Sequence, residues 1–347
     1  MRTMPKLLIK LTPLAPYFFG GERIFEIGDG NRHYFIHSID TPSQTTLFGA
    51  LRYIGIRSPE KGFRLNDEDK FNIGASSFDL TNQGIADFGG IKRISPLYIF
   101  SQGDGYMIRT PLDHINTPLD HINGQETYSR FERYSGPIRT TSGERWFPLD
   151  YNAKHGLADS WLSLADGKIY NGLFEGIAQV GIDKKNKKQA FFRKEFKRLK
   201  AGFSFVFFAD VGEGFTPYNK IVYLGQGKSA FQADWDWGAD EPKIPAGLIR
   251  GEMVYAQSDA FISCGVNELY ETCNFVCAAT RDFRVFVTDY DRAAAIATRY
   301  KKSGNIKLVQ AGSVFWPNNA EAFVSRIHNC HASIAGFNQI IIGGESQ

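Results

Sequence analysis

Cysteine is scarce in this chain. Its 347 residues include four, Cys264, Cys273, Cys277 and Cys330, all in the last quarter. So sparse and late a set excludes a disulfide-stapled scaffold, and the four are read as reduced thiols of a cytoplasmic protein. Long apolar runs are missing too: nothing approaches the roughly 20 residues that span a bilayer, so no membrane contact is expected. The opening apolar stretch, 7–19, is broken by Lys10, Pro13 and Pro16 and lacks a small-residue cleavage site, so no signal peptide is expected. Charge of one sign is not in excess. With 40 Lys and Arg against 37 Asp and Glu, the formal net charge is +3. That excludes a uniformly basic coat for nucleic acid and leaves room for a local basic patch. No Pro-rich or Ser-rich linker divides the chain, so its halves are expected to pack tightly. What is present is a foldable composition, 43% apolar and 14% aromatic, in a chain long enough for two cores.

Patterning gives the elements. Alternation of Leu7, Ile9 and Leu11 predicts a first strand ended by Pro13. A connection rich in Gly and aromatics runs from Pro16 to about Asp40. Leu47, Phe48, Leu51 and Ile54 then recur at helical spacing, with Thr41 as the expected N-cap, Pro42 at the first helical position, and Gly55 and Pro59 at the end. Strand, long loop and helix open a β-α-β-β-α-β module. Further strands are expected within 91–100, 203–208, 222–224, 283–288 and 338–342, and a helix over 291–300. Strands outnumber helices, which makes the fold class α+β, divided into 1–165 and 170–347. Thr110 to Asn116 recurs as Thr117 to Asn123, TPLDHIN twice. Seven residues are too few for a solenoid repeat, so a duplication in a surface loop is expected.

The strongest chemical signal is focused charge. Residues 183–200 hold nine Lys or Arg against two acids, net +7, which leaves 31 basic and 35 acidic residues elsewhere. Lys184, Lys185, Lys187, Lys188, Arg193 and Lys194 would neutralise phosphates, and Phe191 or Phe192 would stack on unpaired bases. The same run also suits a solvated hairpin or helix with its apolar residues turned inward. A second signal is Gly225-Gln226-Gly227-Lys228-Ser229. Its Gly-Lys-Ser ending resembles a phosphate loop, but that motif needs Gly five positions before the Gly-Lys pair, where Val222 stands. A tight turn remains, whose N–H groups and Lys228 would touch a phosphate backbone. The helix start at Ser43, Thr45 and Thr46 offers hydroxyls and a positive dipole end to phosphate, although ordinary capping uses the same residue types. Arg52 follows on that helix.

Metal and catalytic signals are thin. Cys273, Cys277, His328, Cys330 and His331 supply zinc ligand types, but not as the two compact pairs a structural site prefers. Asp113-His114 and Asp120-His121 are copies of one duplication, and an essential dyad does not need two. His33 or His37 would serve as a general base in RNA cleavage, although a histidine in such a loop is more often structural or surface-exposed. No catalytic residue, cofactor or metal is assigned.

Several stretches in order resemble the RAMP superfamily of CRISPR-associated proteins. They are Thr12-Pro13-Leu14-Ala15-Pro16-Tyr17-Phe18-Phe19-Gly20; Pro42 through Arg52; Val180-Gly181-Ile182-Asp183 with the basic run; Leu224 through Ser229; Ala311-Gly312-Ser313-Val314-Phe315; and Gly336 through Gly343. The sequence is most similar to the type III subunit that holds the guide-RNA handle, in its Cmr (III-B) form. The Gly-x-Gly stretch departs from the more Gly-rich form common in RAMP proteins. The resemblance implies two packed ferredoxin-like (RRM-like) domains with long inserted loops and no catalytic activity. It also implies capture of the five-prime handle of the crRNA, with target RNA met only indirectly. Docking would be on the large polymerase/cyclase-type subunit and on backbone RAMP subunits. Two other readings stay open: a metal-independent RAMP endoribonuclease that processes repeat RNA, and a protein-interaction subunit without RNA contact of its own.

Overall fold

The structure, a computed structural model, describes residues 4–20, 23–25, 33–57, 65–76, 78–80, 87–116, 128–130, 134–140, 143–148, 159–183, 190–225, 227–245, 253–284, 286–288, 300–302, 304–327 and 330–343. Its centre is the first strand, Lys6–Pro13, whose Leu7, Ile9 and Leu11 are fully buried. It lies antiparallel between Phe203–Val211 and Ser229–Trp237 in a nine-stranded sheet. Phe203–Val211 is apolar almost throughout because both its faces are covered. Phe205, Phe207 and Ala209 join a core with Leu47, Leu51 and Ile54 of the helix Gln44–Ile54. Val206 and Phe208 point the other way, to Tyr255, Phe275 and Val314 of a second sheet. In that sheet Tyr255 faces the large one, while Val254 and Ala256 pack on Phe323, Ile327 and Leu269 of two short helices. The layers therefore run helix, sheet, sheet, helix, and the α+β class follows.

Both sheets repeat one strand order. The strands Tyr98–Ser101, Phe203–Val211, Lys6–Pro13 and Ser229–Trp237 are antiparallel neighbours in that sequence. So are Cys273–Cys277, Val314–Pro317, Val254–Ala256 and Ile340–Ile342. In each set the first strand along the chain sits between the third and the fourth, and a helix, Gln44–Ile54 or Val266–Tyr270, follows it. Before the last strand the small sheet has the helices Ala320–Ile327 and Cys330–Ile334; the large one has the strand Ile221–Leu224 instead. The large sheet takes strands from both sides of the expected division at 165–170, and the small one begins at Val254.

Several expectations need correction. The first helix starts at Gln44 with Ser43 as N-cap, two residues after Thr41, because the Ser43 hydroxyl is the one that accepts the Thr46 N–H, at 3.3 Å. In place of one strand over 283–288 there are the last residue of Thr280–Phe283 and the whole of a second short strand, Phe286–Thr288. The last strand is only Ile340–Ile342, since Asn338 takes a left-handed φ of 58° and cannot extend it. The helix expected over 291–300 lies outside the described residues, apart from Tyr300 in the strand Tyr300–Lys302. The first TPLDHIN copy is not surface loop: Thr110 and Asp113 are buried, and the Leu112 N–H donates to Gly312 O at 2.8 Å. The second copy lies outside the described residues. Among the described residues no helix is long and apolar enough to cross a membrane.

Candidate nucleic-acid interface

The basic run forms one arm of a long antiparallel hairpin, Phe174–Asp183 with Ala190–Leu199, paired without a register shift from Phe174↔Leu199 to Asp183↔Ala190. Ten residues at about 3.3 Å each make arms of roughly 33 Å. The connection at 184–189 carries Lys184, Lys185, Lys187 and Lys188, which lie outside the described residues. Phe191 and Phe192 stand in the ladder opposite Ile182 and Gly181. On their other side the strand His33–His37 runs parallel, with His33 at Phe191 and His37 at Glu195. Val180 is 66% exposed and Arg193 is exposed beside it. The hairpin therefore meets solvent at this ladder pair.

Toward its base the hairpin is fastened. Tyr17 and Lys197 exchange backbone hydrogen bonds of 2.8 and 2.9 Å, and the Tyr17 hydroxyl donates to Asp40 O at 2.8 Å. Lys197 itself is neutralised. Burial opposes its charge, but Asp40 at 3.2 Å and Glu195 at 3.4 Å raise it above its ordinary value. Lys194 has a different setting: its Nζ lies 4.0 Å from the ring centre of Phe18 and 4.8 Å from that of Phe196. Those two rings meet edge to face at 5.8 Å. Burial pushes the Lys194 ammonium below its ordinary value, while the ring faces attract the cation. The side chain is thus pinned midway along the basic strand.

The Gly turn meets the hairpin at the same phenylalanine. Residues 225–228 link the strand Ile221–Leu224 to Ser229–Trp237, so a strand follows the turn and not the helix of a phosphate loop. Gly225 has a φ of +74°, and a Cβ there would sit 2.1 Å from the Phe18 carbonyl oxygen. The Ser229 hydroxyl donates to Pro16 O at 3.3 Å. Gly227 and Lys228 are exposed; Gln226 lies outside the described residues. The fold therefore brings together the turn, the 16–18 segment, Lys194 and Phe196.

It does not bring in the other expected residues. Ser43, Thr45 and Thr46 close a hydroxyl cluster at the helix start, with Ser43 Oγ 2.9 Å from Thr45 Oγ1 and 3.0 Å from Thr46 Oγ1. Arg52, near the other end of that helix, donates to Ser76 O at 2.9 Å and to Gly74 O at 3.1 Å, a structural task. Cys273 and Cys277 share a strand whose geometry separates residues four apart by about 13 Å, too far for one zinc ion. Both thiols are buried, and burial pushes that of Cys277 well up. Among the described residues no group of three metal-ligand side chains forms. Sequence reasoning passed over Phe18 and Phe196 as partners of Lys194. The signal available was their place beside a Pro-aromatic-Gly segment and inside a basic run.

No family model matches the chain, and neither does any curated protein. Solved structures that it resembles come from type III CRISPR-Cas complexes. One is a chain of the type III-B Cmr-beta complex bound to cognate target RNA and AMPPnP, 14% identical, covering 94% of this chain and 89% of that one, with a TM-score of 0.46. Another is a chain of the Csm1-Csm4 cassette in complex with AMPPNP, 12% identical, covering 90% and 88%, TM-score 0.38. A third is from the Csm3-Csm4 subcomplex of the type III-A interference complex, 11% identical, covering 90% and 92%, TM-score 0.36.

Proposed function

We propose that this chain is a non-catalytic RNA-binding subunit of a type III CRISPR effector of the Cmr (III-B) kind. It works in the cytoplasm in antiviral defence, captures the five-prime handle of the crRNA, and docks the large cyclase-type subunit onto the RAMP backbone. The observation that carries the reading is the convergence at Phe18. A solvent-exposed basic hairpin and a Gly turn ending in Lys228 lean on the same residue, one through Lys194 and the other through Gly225. Cations along one strand, with an exposed turn beside it, make a track for a short phosphate backbone. The remaining surface, net negative outside 183–200, suits burial against protein partners. The matching strand orders of the two sheets support two ferredoxin-like units. The hairpin tip is the part suited to mark where the handle ends and the target-pairing guide begins.

Binding without chemistry makes a direct prediction. Incubated with repeat RNA in EDTA, the purified protein is expected to leave the RNA intact, as read on a denaturing gel. Site-specific cleavage that disappears in His33→Ala or His37→Ala would establish the endoribonuclease reading instead, since both histidines lie on the strand beside the basic arm.

A further inference from the structure

A cleft of about 70 Å³ opens where the large sheet meets the segments around 257–259, 281 and 310–311; its Trp161 ring lies 6.4 Å from that of Phe174, at the base of the hairpin. Its lining includes Arg109, Trp161, Asp259, Arg281, Gln257 and Gln310, together with the start of the first helix at Thr41, Pro42 and Gln44. Buried polar atoms normally find a hydrogen-bond partner. Three in this lining have none: Arg109 Nη1, Trp161 Nε1 and Arg281 Nε. All three are donors, and two belong to guanidinium cations. Neither nearby carboxylate satisfies them. Asp259 takes the Arg281 Nη2 and, at 3.0 Å, the Ala311 N–H. Asp159 is 3.9 Å from Arg109 Nη1, beyond hydrogen-bond reach, and 89% exposed. Arg109 is held in place by other means: its guanidinium stacks 4.7 Å from the Trp161 ring, and its carbonyl accepts from the Tyr255 hydroxyl at 2.7 Å. Burial pushes its guanidinium below the ordinary value, against the opposite pull of Asp159, Asp40 and Asp259.

Orphan donors of one kind call for an acceptor-rich ligand, and fixed guanidinium N–H groups call for an anion. The positive end of an 11-residue helix at the same cleft adds to the preference. The space is several times that of one water, enough for a compact tetrahedral group. We infer that this cleft is a binding site for a phosphate group, with Arg109, Arg281 and Trp161 as its donors. The site stands on its own donors and not on the hairpin reading, so either can fail without the other.

The test uses the full chain and three probes: inorganic phosphate, a short RNA with a five-prime phosphate, and the same RNA with a five-prime hydroxyl. Affinities are measured by calorimetry for the wild type and for Arg109→Gln, Arg281→Lys and Trp161→Phe. Loss of a charged hydrogen bond predicts about ten- to hundredfold weaker phosphate binding in Arg109→Gln, and loss of a neutral one about two- to tenfold in Trp161→Phe. Arg281→Lys keeps the charge opposite Asp259 but has no Nε, so weakening there marks a direct contact. If Arg109→Gln does not fold, the other two variants still decide. Tighter binding of the phosphorylated RNA, dependent on these residues, assigns the phosphate to an RNA end. The same dependence for inorganic phosphate alone assigns it to a free phosphate. Absence of binding by any probe, or binding equal in the wild type and the folded variants, overturns the site.

Discussion

Replacing Lys184, Lys185, Lys187 and Lys188 together by Ala is expected to weaken single-stranded RNA binding by about 200-fold at about 0.15 M salt. The figure follows from counterion release. Each phosphate contact to single-stranded RNA contributes about 0.7 to the salt slope, which is nearly fourfold in affinity at that concentration, and four contacts multiply. The salt slope should fall by about 2.8 in the same experiment. Stability should hardly change, because these lysines belong to the connection beyond the last ladder pair, Asp183↔Ala190, and surface substitutions of this kind are usually worth under about 0.5 kcal/mol. Fluorescence anisotropy across a salt series, with a thermal melt of each protein, checks both statements. An unchanged slope would move the contact away from the hairpin tip.

The second large effect is at the turn. Gly225→Ala is expected to lower the unfolding free energy by about 3 kcal/mol, seen as a shifted urea midpoint. Two costs add. A non-Gly residue in a left-handed conformation at φ +74° costs about 1 kcal/mol, and pushing the new Cβ off the Phe18 carbonyl costs roughly 2 kcal/mol more. Gly227→Ala is the control. Its φ is +105°, but no atom lies within 4 Å of the position, so only the backbone cost remains, about 1 kcal/mol. Relief of the Gly225→Ala clash must move Phe18. Because Lys194 sits over that ring, RNA binding should weaken along with stability. Equal effects at the two glycines would show that the turn does not rest on Phe18.

Local pattern made part of this legible in the sequence. Leu7, Ile9 and Leu11 alternate as the central strand requires, and Leu47, Phe48, Leu51 and Ile54 mark the face of the first helix. The break at Gly225 and Gly227 marks a turn, and the charge of 183–200 marks the exposed arm. What escaped depends on contacts between distant segments. Nothing near Lys197 in sequence announces Asp40, which neutralises it, and nothing near Lys194 announces Phe18. Arg52 looks like a free surface cation until the chain returns to place the carbonyls of Gly74 and Ser76 beside it. The first TPLDHIN copy looks like loop until Gly312 arrives to accept from Leu112. The sheets were hidden for the same reason, since each central strand pairs with segments far along the chain. Arg109 and Arg281 show the limit most clearly. One lies beside the duplicated segment and the other in a short strand with mixed charge, and only the packing of the two halves sets them around one cleft.

RNA is expected to lie along the hairpin and the Gly turn beside it. Photo-crosslinking of crRNA in the assembled complex, with the modified peptides mapped by mass spectrometry, tests it most directly. Adducts are expected to concentrate at 184–194 and 225–229, from nucleotides of the five-prime handle. Adducts absent from both segments, in a complex where other subunits crosslink normally, would contradict this placement and leave the chain a protein-interaction subunit.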